Sequence, residues 1–291
     1  MSRNASHFSI LLTSLIAVLF ASCVAPASPQ PTPPRAVALP TSAVPSTSVK
    51  PSSTTETWSA TSPDGKWLAE GVRESQFEPC GYRTRLTVTS AAGDVTWKAW
   101  DGLQNCGLGS TDPVPFHWSQ DGNHLYFTNQ PRPDGCAQFV NGSDLYRVEL
   151  TTGQVTQLMP EAGLWLALSP DETQLAYMAY GGRGLVVRGL ASGVEREAKL
   201  PQGAQAGNIV WSPDQTALLF TLDEGGCSQM YSVARIDLQT LKQTILVEAD
   251  ERKFVTIGWF ESERATLVDN DGNNWWVDVA TGQLTPASET P

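Results

Sequence analysis

The hydrophobic positions of the chain recur in pairs of short runs that are separated by a polar turn. In Ile209–Leu222, IVWSPDQTALLFTL, one apolar run ends at Trp211, a Ser-Pro-Asp turn follows, and a second run returns through Phe220. Short apolar runs bounded by turn residues are typical of β-strands, so the pair predicts a β-hairpin. No long segment with the 3.6-residue period of a helix lies between such pairs, and we therefore expect an all-β fold.

The same hairpin recurs at four further places, spaced about 45 to 55 residues apart, and a fixed period in this range is typical of a propeller or array. The copies are SATSPDGKWLAEG from Ser59, FHWSQDGNHLYFT from Phe116, LALSPDETQLAYM from Leu166 and the divergent IGWFESERATLVD from Ile257. Further strand signals and a second turn follow each copy, so each repeat is predicted to hold four antiparallel strands, named A to D. A single four-stranded sheet exposes both faces, so neighbouring sheets are expected to cover them.

The Ser-Pro-Asp-Gly turn before an apolar strand, with a later Thr-Gly-Gln turn, resembles the WD40-like (PD40) β-propeller repeat of TolB proteins. The resemblance covers residues 57–286. It implies a β-propeller of four-stranded antiparallel blades over residues 57–288. We count five blades, and six is the alternative because TolB propellers have six. Three residues of this chain differ from the repeat. Gln120 replaces the Pro of the repeat, and Glu172 and Gln215 replace its Gly.

Aromatic residues occupy matching points at the ends of the A strands. The tryptophans are Trp118, Trp211 and Trp259. An aromatic platform for a ligand is one interpretation. We favour packing between blades, because aromatic side chains bury large areas.

The first 56 residues are predicted to lie outside the propeller. Residues 1–22 form a secretion signal, because the apolar run Phe8–Phe20 is too short to span a bilayer comfortably. The small residues Ala21-Ser22 before Cys23 resemble a bacterial lipoprotein signal, which implies lipidation of Cys23; ordinary secretion is the alternative. Residues 23–56 are rich in Pro, Ser and Thr and are predicted to be an extended linker. We therefore expect an extracytoplasmic protein that a lipid anchors to a bacterial membrane, at the cell surface or in the periplasm.

Four further cysteines make an even number in a chain that is predicted to be exported, which favours two disulfides. Cys80, Cys136 and Cys227 fall in B–C loops, and Cys106 falls in the loop that leads from blade 1 to blade 2. Both kinds of loop project from the same end of a blade, so all four are expected on one rim. Three pairings are possible. We favour Cys80 with Cys106 and Cys136 with Cys227, and four free thiols are the alternative.

The same rim carries the longest loops, and loops on a rigid scaffold commonly bind partners. The candidate binding residues are the rim acids Glu78, Asp101, Asp134, Asp223 and Glu224. A net charge of −11 argues against nucleic acid, which requires basic patches. The expected partner at the rim is a protein or a cell-envelope polymer, and a monomer is expected.

No motif in the sequence selects catalytic residues. There is no Gly-x-Ser-x-Gly elbow and no phosphate-binding loop, and no closely spaced cysteines suggest a metal site. Residues 269–273, DNDGN, resemble a calcium loop, but the glycine comes two places early and no Glu closes it, so a hairpin turn is predicted. The sequence therefore predicts a non-enzymatic binding protein without a cofactor. The alternative is a glycoside hydrolase acting on extracellular glycan, with two carboxylates about 5 to 10 Å apart across the axis.

Overall fold

The computed structural model describes residues 55–76, 81–105, 111–131, 139, 141–160, 163–180, 184–225 and 230–289. Within these ranges the chain forms β-strands, and a short 3₁₀ turn, Ala287–Glu289, follows the last strand. In chain order the strands are β1 (Thr55–Thr61), β2 (Trp67–Gln76), β3 (Gly81–Ser90), β4 (Thr96–Asn105), β5 (Thr111–Trp118), β6 (His124–Pro131), β7 (Leu145–Glu149), β8 (Val155–Met159), β9 (Leu164–Leu168), β10 (Gln174–Ala179), β11 (Gly184–Gly189), β12 (Glu195–Ala198), β13 (Gln205–Trp211), β14 (Ala217–Asp223), β15 (Tyr231–Asp237), β16 (Gln243–Val247), β17 (Val255–Gly258), β18 (Arg264–Val268), β19 (Asn274–Asp278) and β20 (Leu284–Pro286).

Each run of four consecutive strands forms one antiparallel sheet, from β1–β4 as blade 1 to β17–β20 as blade 5. The predicted all-β propeller of four-stranded blades is confirmed, and the described residues form five blades. The first strands of neighbouring blades approach each other, as β9 and β13 do and as β13 and β17 do. The first strands are therefore the innermost ones. In the described part of the chain no helix has the length and hydropathy of a membrane span.

The recurring Ser-x-Asp turn is built from local hydrogen bonds that explain its residue types. Ser212 donates its hydroxyl to Asp214 at 2.7 Å and accepts the N–H of Ala217 at 2.9 Å. The fourth turn residue takes a positive φ, which is 60° at both Glu172 and Gln215. A left-handed conformation costs a non-glycine residue about 1–2 kcal/mol, so these two positions require compensating contacts. The equivalent serine–aspartate pairs are Ser62–Asp64, Ser119–Asp121 and Ser169–Asp171.

Four hydrophobic clusters join consecutive blades. In β14 Leu218 and Phe220 pack toward blade 3, and Leu219 between them packs toward blade 5. Trp211 and Trp259, each 6% exposed, lie in these clusters, which confirms their predicted packing between blades. Burial on both faces accounts for the nearly continuous apolar sequence of the second strands in blades 2 to 4.

Blades 1 and 5, the first and last blades in the chain, differ from the inner blades in how they are covered. Among the described residues no hydrophobic cluster joins blade 5 to blade 1. Glu70 in β2 occupies the position that Phe220 occupies in β14, and it points away from blade 2 because its neighbour Ala69 packs toward that blade. The same face of blade 1 carries the ion pair of Arg83 with Asp101. Among the described residues, no apolar neighbour covers the outward face of blade 1, where Glu70 is exposed.

Candidate functional site

A cleft of about 840 Å³ lies between the first strands of blades 2 to 5. This volume is within the range of about 300–1,000 Å³ that is usual for ligand sites. The walls are rich in aromatic side chains and carry a few polar ones. The aromatic residues are Phe116, Trp165, Trp211, Trp259 and Phe260, and the polar residues include His117, Gln120, Asn141, Asn208 and Thr256.

β-Bulges supply many of the residues that line this cleft. In each of these four blades the register between the first and second strands shifts by an extra residue. The bulged segments contain Phe116, Trp165, Asn208 and Ile257, and all four line the cleft. Trp165 and Asn208 have φ values of 51° and 50°. Bulges redirect side chains beside functional sites, and strained backbone also concentrates there.

Side chains from neighbouring blades hold the bulged backbone in place. Asn141, which follows β6, accepts the N–H of Leu166 at 2.8 Å and donates to the carbonyl of the same residue at 2.9 Å. The hydroxyl of Thr256 in blade 5 donates to the carbonyl of Asn208 in blade 4. These bonds satisfy polar groups that a bulge leaves unpaired. The walls of the cleft are therefore formed before any partner binds.

Two described residues of the B–C loop of blade 2, Phe139 and Asn141, contact other blades. Phe139 in this loop is buried, and its ring contacts the ring of Tyr231 at a centroid distance of 5.4 Å. Phe139 also packs on Gly207, where any side chain would collide with the ring. We call Phe139 and Asn141 together the strap. The strap borders the cleft at its B–C end, since Asn141 lines the cleft.

The other end of the cleft lies at the A–B turns and combines a polar corner with exposed apolar side chains. His117 Nε2 donates to Glu172 at 3.1 Å, because a carboxylate can only accept. The hydroxyl of Tyr126 donates to the same carboxylate at 3.2 Å, and burial followed by the charge of Glu172 raises the pKa of Tyr126. On the opposite wall Phe260 is 79% exposed and Ile257 is 48% exposed. We call this end the mouth.

The predicted rim acids do not form one group in the described structure. Glu78 and Asp134 lie outside the described residues. Asp101 lies in strand β4 rather than in a loop, because the β3–β4 ladder of blade 1 continues to Asn105. Its carboxylate accepts from Arg83 at 2.7 and 2.8 Å, and that guanidinium above all lowers the pKa of Asp101 to about 2.

The remaining two rim acids belong to blade 4. Asp223 ends β14 with no exposed surface and accepts the N–H of Gly225 at 3.0 Å, and Glu224 beside it is exposed. None of the three described rim acids lines the cleft. The residues of the mouth and of the bulges were missed in the sequence, although Phe116, Trp165 and Ile257 are bulky residues that lie a few positions before the recurring turn. Trp211 and Trp259, which the sequence analysis considered as an aromatic platform, do line the cleft.

The predicted lipidation site and disulfides are not described by the structure. Cys23, Cys80, Cys106, Cys136 and Cys227 all lie outside the described residues. The DNDGN segment forms the predicted hairpin turn, in which Asp269 accepts from the backbone of Asn273 at 2.8 Å and from Trp275 Nε1 at 2.9 Å. Burial raises the pKa of Asp269, but these and related hydrogen bonds outweigh burial and lower it to about 2. In the described ranges no group of three or more His, Cys, Asp or Glu residues could hold a metal ion.

Five four-stranded antiparallel blades in the described residues, with a cleft between their first strands, make this chain a β-propeller. No protein-family model matches the sequence, and no curated protein is similar to it. Among solved structures it is similar to TolB from Acinetobacter baumannii, with 17% identity over 80% of this chain and 53% of TolB, at a TM-score of 0.42. It is also similar to a puromycin-hydrolyzing peptidase from Mycobacterium tuberculosis, with 16% identity over 78% of this chain and 37% of that one, at a TM-score of 0.49.

A third similar structure is a proposed dipeptidyl aminopeptidase IV from Bacteroides ovatus, with 11% identity over 78% of this chain and 39% of that one, at a TM-score of 0.52. The chain thus spans about half of TolB and less than two fifths of either peptidase. These similarities show the fold alone. They correct the expectation that the chain is not an enzyme, because the same propeller occurs within a chain described as a peptidase.

Proposed function

We propose that this protein is an extracytoplasmic binding propeller, tethered to a bacterial membrane through Cys23, whose axial cleft takes up an extended apolar segment of a partner protein. The leader sequence supports the location and the anchor. The observation that carries the binding role is the mouth, where Phe260 is 79% exposed and Ile257 is 48% exposed beside a wall of further aromatic side chains. Exposed apolar residues at a concave surface mark sites of association.

The chemistry of the cleft favours a peptide over a sugar polymer. A peptide offers apolar side chains for the aromatic walls and a backbone whose donors and acceptors suit amides such as Gln120, Asn141 and Asn208. The glycoside hydrolase alternative requires a pair of carboxylates at the axis. No aspartate or glutamate is among the described residues that line the cleft, and the Glu172 carboxylate beside the mouth already accepts hydrogen bonds from His117, Gln120 and Tyr126, so this geometry gives that alternative no support.

Binding at the mouth is tested with the full chain and synthetic probes in calorimetry. One probe set is short peptides with a central Phe or Leu, and the other is soluble oligosaccharides. We expect the peptides to bind, and Phe260→Ser or Ile257→Ser to weaken that binding about tenfold or more, as loss of an apolar anchor does. Leu103→Ser is the matched control, because Leu103 is 73% exposed but lies in β4, away from the cleft.

Two results would contradict the binding proposal. One is binding of oligosaccharides without binding of any peptide, and the other is equal weakening by Leu103→Ser and Phe260→Ser. The tether is tested separately by cell fractionation. We expect the full chain in the membrane fraction and Cys23→Ser in the soluble extracytoplasmic fraction; membrane retention of the variant would contradict the lipid anchor.

A further inference from the structure

Building on the peptide binding proposed above, we infer that the side-chain amide of Asn208 recognises the main chain of the bound segment. Asn208 is the fourth of the seven residues of β13, so it lies midway between the two ends of the cleft that it lines. The mouth then takes an apolar side chain of the partner, and Asn208 takes a peptide group further along the same segment.

The other amide, hydroxyl and imidazole groups of the cleft are already bound within the protein. Asn141 bonds both backbone groups of Leu166, and the hydroxyl of Thr256 donates to the carbonyl of Asn208. The remaining bonds are those of His117 with Glu172, Gln120 with Pro170 and Ser169 with Asp171. Within the described ranges the side-chain amide of Asn208 forms no hydrogen bond with the protein, and this side chain is half-buried. It is therefore available to a ligand.

The backbone conformation at residue 208 does not account for an asparagine there. Asparagine tolerates a positive φ better than most residues do, and the φ of Asn208 is 50°. Trp165, however, is the equivalent first residue of the bulge in blade 3, and it has a φ of 51° with a much larger side chain. Hydrogen bonds from a neighbouring blade hold the bulge in both cases. The asparagine therefore contributes its amide to the cleft, since the fold accepts other residues in this conformation.

The amide suits a peptide group because it presents a donor and an acceptor side by side. Its N–H₂ can donate to a carbonyl of the bound segment, and its oxygen can accept an N–H of the same segment. A peptide that enters a cleft lined by aromatic side chains loses water from its main-chain groups, which is costly unless these groups are paired. Asn208 supplies this pairing in the middle of the cleft, where Trp165 and Trp211 also line the wall.

Calorimetry with the full chain tests the role of Asn208. The probes are a short peptide with a central Phe and the same peptide with one backbone nitrogen methylated at a time. We expect one of the methylated peptides to bind the wild-type chain at least about fivefold more weakly, because methylation removes the N–H that the oxygen of Asn208 accepts. Equal binding of all the methylated peptides and the parent peptide would overturn the inference without the use of any variant.

Two variants of Asn208 separate recognition from a change of shape. Asn208→Gly removes the amide and keeps the backbone conformation, because glycine adopts a positive φ freely. We expect it to bind the parent peptide about tenfold more weakly, since two hydrogen bonds are lost, and to bind the methylated peptide no more weakly than the parent. Asn208→Asp keeps the oxygen and loses the donor, so it should bind the parent peptide more weakly and still discriminate against methylation.

Asn274→Gly is the matched control, because Asn274 is exposed at the start of β19 and does not line the cleft. It should bind both peptides as the wild-type chain does, and urea unfolding checks that every variant is folded. Wild-type binding of both peptides by Asn208→Gly, together with weakening by Phe260→Ser, would overturn the role of Asn208 and leave the proposed peptide binding intact. Failure of every peptide to bind the wild-type chain would overturn both.

Discussion

Glu172 in the A–B turn of blade 3 accepts the backbone N–H of Gln120, in the equivalent turn of blade 2, at 2.9 Å. Glu172 holds the turn position that favours glycine, with a φ of 60°. Gln215 has the same φ one blade further on, and its amide nitrogen, turned toward blade 3, donates to Asp171 at 2.9 Å. The two residues that replace the glycine of the repeat therefore make hydrogen bonds between neighbouring turns, and these bonds offset the energetic cost of the strained backbone.

The hydrogen bonds that Glu172 accepts predict an order of stability among its variants. Glu172→Ala keeps the strain and loses the acceptor for Gln120 and His117, so we expect it to lower the free energy of unfolding by about 2 kcal/mol. Glu172→Gly loses the same bonds but relieves the strain, and should recover about 1 kcal/mol. Glu172→Gln keeps an acceptor and should be the mildest change. Urea unfolding of the three variants measures the order, and a Gly variant less stable than the Ala variant would contradict it.

The buried tryptophans Trp211 and Trp259 have the same exposure but differ in one hydrogen bond. Both are 6% exposed, but Trp211 Nε1 donates to the carbonyl of Ala167 across blades at 2.9 Å. Among the described residues Trp259 Nε1 has no hydrogen-bond partner. We expect Trp211→Phe to cost about 1–3 kcal/mol more than Trp259→Phe, because the first change leaves a buried carbonyl unpaired. Thermal and urea unfolding measure this difference, and equal costs would show that the bond contributes nothing.

The turns and strands could be predicted from the sequence because local bonds determine them. Ser212 and Asp214 make their turn from groups within five residues, so the motif alone carries the information. The bulges could not be predicted in this way, because a bulge is a relation of register between two strands. Trp165, a bulky residue at a φ of 51°, gives no local signal of its conformation.

The strap also lay beyond sequence reasoning, because it depends on contacts between distant parts of the chain. Phe139 fits blade 4 only because residue 207 is glycine, and nothing near either residue in sequence indicates the other. The polar outward face of blade 1 is different. Glu70 stands where the copies in blades 2 to 4 have Phe127, Tyr177 and Phe220, so comparison of the repeats contained that information.

Acid is expected to weaken the turns. Hydrogen bonds lower the pKa to about 2 at Asp64, chiefly from Lys66, and at Asp121, chiefly from Ser119. A carboxyl whose folded pKa is below its unfolded value of 3.8 stabilises the fold above the unfolded value and loses that contribution as the pH falls toward the folded one. We therefore expect the urea midpoint to fall between about pH 5 and pH 2.

The matched variant in this experiment is Asp121→Asn, whose amide cannot take up a proton in this range. Measured at constant ionic strength, its midpoint should fall less steeply between pH 5 and pH 2 than that of the wild-type chain, since about one titrating group has been removed. A variant that shows the full wild-type slope would assign the acid sensitivity to other carboxyls.

The outward face of blade 1 predicts a contrast between two equivalent positions. Phe220 is fully buried against blade 3, so Phe220→Ala should cost about 3–5 kcal/mol, as large-to-small changes in a core do. Glu70 stands at the same place in β2 but is exposed and belongs to no hydrophobic cluster of the described residues. We expect Glu70→Ala to change the free energy of unfolding by about 0.5 kcal/mol or less, the usual range for surface changes. Urea unfolding of both variants measures the contrast. A cost at Glu70 that approaches the cost at Phe220 would mean that another part of the chain packs on this face and that blade 1 is enclosed as the inner blades are.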